Sequence, residues 1–473
     1  MGQWLALHLP WLPLDLLGDG VGAPLVVTER VGGRTVVRLA NAAARRQGVV
    51  PGLGLGGARA LCAGLGVRER DPAREREAVG RLAGWAWQFT SQVSLEADAL
   101  LLEVGRSRRL FGGTEALLRR IREGLDALGF RCVAFVAPTA EGALVLARHG
   151  VAGGAWDIDD LRRQLAALPL AGLPIDERAR RALHDAGLRR LGQVLALPRP
   201  ELGRRAGTTL LDWIDRLLGA APDPRPPFEP PASYRGRLEL AAEVGTTEAL
   251  LFPARRLLHE LAGFLAGRQL GAARLDWRLA HAGRPPTCFG IGLAGPGRDA
   301  EGFLALLRER LQRLALPAPV REIALAAEDL VPFAGRPLAL LDGRVVDRCS
   351  GLLERLRARL GEDAVSGYRL VADHRPERSY AICAPGEASA GLRFPARPLW
   401  LLPEAEPMAV RDGRPWRGGP LDLAGERERI ASGWWDDGGV ARDYFVAVTP
   451  AGERLWVYRD LATGRWFLHG LFG

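Results

Sequence analysis

Two short stretches carry the residue types that could do chemistry. One is Val93-Ser94-Leu95-Glu96-Ala97-Asp98-Ala99-Leu100-Leu101-Leu102-Glu103-Val104, the other Trp4-Leu5-Ala6-Leu7-His8-Leu9-Pro10. The first reads as a hairpin of two short buried strands with carboxylates near its turn, the second as its partner strand. Two-metal phosphoryl transfer needs acids to meet at such strand ends. Mg²⁺ takes oxygen ligands in a tight octahedron, and two such ions about 3.5–4 Å apart need several carboxylates to offset their repulsion. One Glu and a neutral His do not meet that demand. A softer metal could use His8, but not for that chemistry. Asp98 reads as a solvated turn residue. Glu103 is an odd number of positions from Glu96 across a turn, so its facing is open.

The elements that must position these residues alternate. Strands are expected at 3–9, 24–29 and 35–39, the last two forming a hairpin across Gly32-Gly33. Asn41 caps a short helix closed by Gly48, and another runs from Gly57 to Cys62. Val79, Leu82, Ala83, Trp85 and Ala86 give a helical period within 73–90. After the Val93–Val104 hairpin, Thr114 caps a helix from Glu115 to Leu128. The strand Arg131–Ala137 and the helix Thr139–His149 complete an α+β sheet with helices on one face. From about 155 the pattern is helical: Asp176–Ala186, then Gly187-Leu188-Arg189-Arg190, a helix from Leu191 to Leu197 broken at Pro198-Arg199-Pro200, and one from Leu202 to Gly219. This helix-hairpin-helix pattern fits either a phosphate held on exposed amides at a helix N-terminus or an ordinary αα-hairpin.

Ala221-Pro222-Asp223-Pro224-Arg225-Pro226-Pro227-Phe228-Glu229-Pro230-Pro231 reads as a semi-rigid extended linker. Beyond it, residues 233–330 follow the order βαββαβ, a split-βαβ domain. The extended segment Pro337–Asp342 and a helix Ser350–Leu360 follow, then a tail of short strands, turns and aromatics. Trp434, Trp435, Tyr444, Trp456, Tyr458 and Trp466 should mostly be its core, and the apolar end Trp466–Phe472 should be docked.

Composition bounds the class. The chain has 473 residues, 48% hydrophobic and 25% charged, which calls for several globular domains. No window is apolar enough to span a membrane, and no signal peptide is read, so a cytoplasmic location is expected. Five scattered cysteines without a CxxC pair indicate a reducing compartment and argue against structural zinc. The net charge of +9 is carried by arginine alone, since lysine is absent. It suits a polyanionic partner or a surface of solvated arginines.

The whole order resembles the Y-family, translesion DNA polymerases, with palm, fingers, a helix-hairpin-helix thumb, a linker and a little finger. Within that family the chain is most similar to the ImuB branch. Ala43-Ala44-Arg45 leading to Gly48-Val49-Val50-Pro51-Gly52, Arg108-Arg109-Leu110-Phe111-Gly112-Gly113, Ser432-Gly433-Trp434-Trp435, Arg442-Asp443-Tyr444 and Trp466–Phe472 carry that closer resemblance. It implies an α+β multidomain fold: palm and fingers at 1–154 (fingers about 20–75), thumb at 155–221, linker at 222–232 and little finger at 233–332. A clamp-peptide-like segment and helix would occupy 333–364, and a β-rich interaction domain 365–473.

Carried over residue by residue, the family's metal-binding acids fall on His8, Glu96 and Ala97, so the resemblance implies a degenerate centre without catalytic residues or bound metal. The aromatic steric gate falls on Pro13 and the triphosphate tyrosine on Ala42, leaving Arg45 as a remnant of nucleotide binding. Gly187, Leu188, Arg189, Arg190, Arg274 and Arg278 are the candidate DNA contacts. Pro337, Leu338, Ala339, Leu340 and Leu341 lie where the family carries a sliding-clamp peptide, with Pro337 in place of its Gln and Leu341 in place of its Phe. The implied partners are primer-template or damaged DNA, the clamp, an ImuA-like RecA-related protein and an error-prone polymerase of the replicative α-subunit type. The expected function is a non-catalytic adaptor in damage-induced mutagenesis. Its rival is an active error-prone polymerase with relocated carboxylates, which would need Mg²⁺.

Overall fold

The structure, a computed structural model, describes residues 2–17, 22–333, 356–357, 359–361, 364–385, 387, 391, 396–436 and 438–472. The chain divides into two compact units, Met1–Arg359 and Leu360–Gly473, each described by itself.

The first unit opens on β1 (Trp4–His8), whose Leu5, Ala6 and Leu7 are fully buried. After α1 (Leu12–Asp15), β2 (Leu25–Val31) and β3 (Arg34–Ala40) pair through Gly32 and Gly33, both at positive φ as a two-residue turn demands. Asn41 caps α2 (Ala42–Arg46), accepting from the Ala44 amide at 2.9 Å. Then come α3 (Leu55–Leu61) and β4 (Gly66–Glu69), which lies parallel to β2 in a three-stranded sheet. The helix α4 (Pro72–Ala86) leads into the hairpin β5 (Val93–Leu95) and β6 (Ala99–Glu103). It is followed by α5 (Thr114–Ala127), β7 (Val133–Ala137), α6 (Ala140–Arg148) and β8 (Gly153–Gly154). Thr114 is the first residue of α5 and not its cap. That place belongs to Gly113, at φ 111°, where a side chain would strain the turn.

β1 is the middle strand of the sheet β5-β6-β1-β7-β8, antiparallel to both neighbours. Leu5 and Leu7, with Leu100 and Leu102, pack on α4 and α5. Ala6, Leu101 and Phe135 face the opposite way, onto α6. The sheet is therefore covered on both faces, not one. The run Ala99–Leu102 has no polar alternation because neither of its faces meets water.

Five helices follow: α7 (Ile158–Ala166), α8 (Glu177–Asp185), α9 (Leu191–Leu195), α10 (Arg199–Ala206) and α11 (Thr208–Leu217). Pro198 and Pro200 start α10 as well as ending α9, since proline fits a first helical turn. The single helix expected from 202 to 219 is divided at Gly207, whose φ of 86° is incompatible with a right-handed helix.

A second layer holds β9 (Tyr234–Val244), α12 (Leu251–Arg268), β10 (Leu270–His281), β11 (Arg284–Gly297), α13 (Ala300–Leu311), β12 (Val320–Ala327) and β13 (Leu330–Pro332). Its sheet runs β11-β10-β12-β9, with β13 beside β10. α12 is pressed against α4. A Cβ on Gly263 would lie 2.1 Å from the Trp85 ring, and one on Gly84 3.0 Å from Phe264, so glycine sets the approach of the helices. Glu260, 1% exposed, is neutralised there by Arg81 at 2.8 Å and bonded by the Tyr234 hydroxyl at 3.0 Å.

The second unit is β-rich. It contains the hairpins β14 (Gly367–Leu370) with β15 (Tyr380–Cys383), and β17 (Ala409–Arg411) with β18 (Arg414–Trp416). The main sheet joins β16 (Trp400–Pro407), β19 (Asp422–Ser432), β20 (Val440–Val448), β21 (Arg454–Asp460) and β22 (Trp466–Leu471) in the order β16-β22-β21-β20-β19. Tyr444 stacks on Trp456 with centroids 4.2 Å apart, and its hydroxyl meets His469 Nδ1 at 2.8 Å. Trp434 and Trp435 are not core: 85% and 61% exposed, they form an edge-to-face pair in the loop before β20.

Candidate functional site

The end of β1 and the β5–β6 turn do meet. His8 pairs in register with Ala99, which brings its ring to the hairpin carboxylates. His8 Nε2 lies 3.3 Å from Asp98 Oδ2. Asp98 is not a solvated bystander: its Oδ1 accepts from Arg148 at 2.6 Å. Burial works to raise its pKa, but the hydrogen bonds from His8 and Arg148 win, and the carboxyl is held far below the usual range. Glu96 accepts from Arg225 Nη1 at 2.6 Å and from Arg148 Nη2 at 3.4 Å. Arg225 also reaches Glu141 at 2.5 Å and Asp223 at 2.9 Å, while the Trp213 indole N–H donates to the other oxygen of Glu141 at 2.7 Å.

The result is one connected ionic network, His8–Asp98–Arg148–Glu96–Arg225, extended to Glu141 and Asp223. The surviving carboxylate, Glu96, is already neutralised from both sides. Ala97 is exposed and brings no acid. Glu103 is at the far end of its strand opposite Trp4, about 13 Å away at strand rise, and accepts from the amides of Gln3 and Gly105. Among the described residues no group of three or more His, Cys, Asp and Glu side chains is arranged to hold a metal ion. The donor set does not fit two Mg²⁺ ions, because guanidinium groups sit between the acids that would have to share them.

Arg45, on α2, is exposed and turns back on the end of β3, donating from Nε to the Ala40 carbonyl at 2.8 Å. In the turn between α8 and α9, Gly187 takes φ 77° and its amide bonds His184 O, while that of Leu188 bonds Leu183 O. The amides of Arg189 and Arg190 both donate to Gln193 Oε1, at 2.8 and 3.0 Å. The Arg189 guanidinium caps α8 through His184 O at 2.6 Å. These amides are engaged within the protein, so a phosphate at this turn would be met by side chains, with Arg190 exposed for it.

Arg274 and Arg278 share the exposed face of β10, with Leu275, Trp277 and Leu279 buried behind them. Across the sheet Arg278 is level with Ala324 and then Arg237, while Asp276 is level with Ala326 and then Arg235. The arginines thus form two rims around a shallow alanine floor, an open concavity of about 890 Å³. Arg235 and Arg237 were not anticipated, although their alternation with buried Tyr234 and Leu238 in β9 was readable. Each rim arginine has an acid nearby: Glu328 for Arg235, Glu77 for Arg237, Asp276 for Arg274 and Glu322 for Arg278. Pro337, Leu338, Ala339, Leu340 and Leu341 lie outside the described residues, as does the start of the helix expected from Ser350.

Residues 21–148 match the impB/mucB/samB family. Over 459 residues the chain is 30% identical to Protein ImuB of Caulobacter vibrioides strain NA1000, which covers 90% of this chain and all of that protein; Protein ImuB of strain ATCC 19089 gives the same figures. Among solved structures, the insertion ternary complex of Dbh DNA polymerase is 17% identical, with a TM-score of 0.39, covering 70% of this chain and 99% of its own. DinB from Sulfolobus solfataricus is 18% identical, with a TM-score of 0.38 and the same coverage. The class is that of the Y-family DNA polymerases, to which this chain is homologous, with mixed α/β content and a β-rich C-terminal region. Within that class, the chain belongs to the ImuB family.

Proposed function

We propose that the chain is a non-catalytic polymerase homologue that binds DNA and serves as an adaptor in damage-induced mutagenesis. The observation that carries this reading is the network at the end of β1, in which Arg148 and Arg225 neutralise Glu96 and Asp98. A centre of that kind holds its charges closed instead of leaving them for metal ions. In family terms, residues 1–154 are palm and fingers, 155–221 the thumb, 222–232 the linker and 233–332 the little finger. The two arginine rims and Arg190 are the DNA surface, met through phosphates without base readout, which suits a factor that sits on damaged templates. The neighbouring acids compete for these arginines, and screening with counterion release makes the phosphate binding weaken as salt rises. Family membership supports the further proposal that Pro337–Leu341 docks on the sliding clamp and that the β-rich unit meets an ImuA-like RecA-related protein and an error-prone polymerase α subunit.

The test is primer extension by the purified chain with Mg²⁺ or Mn²⁺. No extension is expected; extension that disappears in Glu96→Ala would establish an active polymerase with relocated acids instead. Clamp affinity unchanged by Leu338→Ala with Leu340→Ala would remove the clamp peptide from the proposal.

A further inference from the structure

The segment 222–231 has the composition of a spacer but is fastened along its length. Ser94 Oγ donates to Pro226 O at 3.0 Å, and the Phe228 amide donates to Val93 O at 2.7 Å, along the edge strand β5. The Phe228 ring packs on the core between the first sheet and α4. Arg268 of α12 holds Pro231 O at 2.5 Å. At the centre of these ties stands Arg225, whose side chain is 11% exposed and touches Glu96, Glu141 and Asp223.

We propose that the Arg225 guanidinium is a built-in cation of the degenerate metal centre, closing it to divalent ions and pinning the linker to the first sheet. This rests on the non-catalytic reading above. Three carboxylates from three separate stretches, β5–β6, α6 and the linker itself, converge on one side chain. Without a cation they would repel each other in a partly desolvated place. Guanidinium suits the role because its five N–H donors form a rigid fork and its charge does not titrate. Lysine would supply the charge but only three donors on a single nitrogen, whereas Arg225 makes four hydrogen bonds from three nitrogens. Arg225 Nε and Nη2 grip Asp223 while Nη1 takes Glu96 and Nη2 also takes Glu141. Glu141 in turn holds Trp213 of α11. One arginine therefore ties the hairpin, the helical segment and the linker together. A divalent ion could enter only by displacing it.

The test uses the full chain. Mn²⁺ is titrated and the free ion read by electron paramagnetic resonance, while exchange of the Phe228 amide is followed by mass spectrometry. Wild type should leave millimolar Mn²⁺ free. Arg225→Ala should gain one Mn²⁺ site that is lost again in Arg225→Ala with Glu141→Gln, and its Phe228 amide should exchange at least about tenfold faster. Arg225→Gln, uncharged but of similar bulk, is read in its place if circular dichroism shows Arg225→Ala unfolded. Wild-type Mn²⁺ binding that Glu141→Gln abolishes overturns the proposal, as does a variant with unchanged exchange and no new site. Primer extension by wild type, by contrast, overturns the non-catalytic reading itself.

Discussion

At the scale of single residues, Asp98 is a group whose charge state its neighbours His8 and Arg148 secure. Its folded pKa is lowered, so it contributes stability that is present above the unfolded value of about 3.9 and lost as pH falls below that toward the folded one. Asp98→Asn should therefore lower the thermal midpoint at neutral pH, and the difference from wild type should shrink as acid is added below about pH 4. Melting curves across that range check the sign. The aromatic residues of the second unit divide in the same concrete way. Trp456→Ala, at 2% exposure beneath Tyr444, should cost about 3–5 kcal/mol in denaturant unfolding. Replacing the exposed Trp434 and Trp435 together should stay within about 0.5 kcal/mol per site. The composition could not tell these tryptophans apart, because what separates them is which strand face or loop each occupies. Arg225 was equally illegible: its partners Glu141 and Glu96 are 84 and 129 positions away in sequence. The cap on the Arg189 and Arg190 amides was legible, since Gln193 stands at the third helical position where such a side chain reaches back.

At the scale of elements, local chemistry carried most of what could be read. The Gly32-Gly33 turn, the Asn41 cap and the β5–β6 hairpin follow from short-range rules that leave few alternatives. The second cover on the first sheet was harder. An uninterrupted apolar run fits both a strand buried on two faces and a piece of buried helix, and the helices that do the covering come from distant segments. The seam between α4 and α12 is set by glycine, and it gives a paired prediction. Gly263→Ala meets the buried Trp85 ring and should cost about 1–3 kcal/mol in denaturant unfolding. Gly80→Ala lies in α4 with open space around it and should stabilise by about 0.5–1 kcal/mol. If both behave alike, the seam is not close-packed.

At the scale of the whole molecule, charge is distributed unevenly. Residues 360–473 hold fourteen arginines against sixteen Asp and Glu, so the entire excess of +9 belongs to residues 1–359. A sequence total conceals that division until the boundary between the units is known. Binding to primer-template DNA should therefore weaken steeply with salt. Arg190→Ala and Arg237→Ala should each reduce the slope of log affinity against log salt by about one. Fluorescence anisotropy over a salt series measures it, and a slope unchanged by both substitutions would move the contact surface elsewhere.

The order of the main sheet in the second unit has a consequence in time. β22 is the last of its five strands in sequence yet lies between β16 and β21. During synthesis, β19, β20 and β21 can assemble as each emerges, but β16 must wait unpaired for residues 466–471 to leave the ribosome. The sheet is thus completed only when β22, which can pair with β21 as soon as it emerges, also meets β16, and during synthesis its closure should follow the release of those six residues.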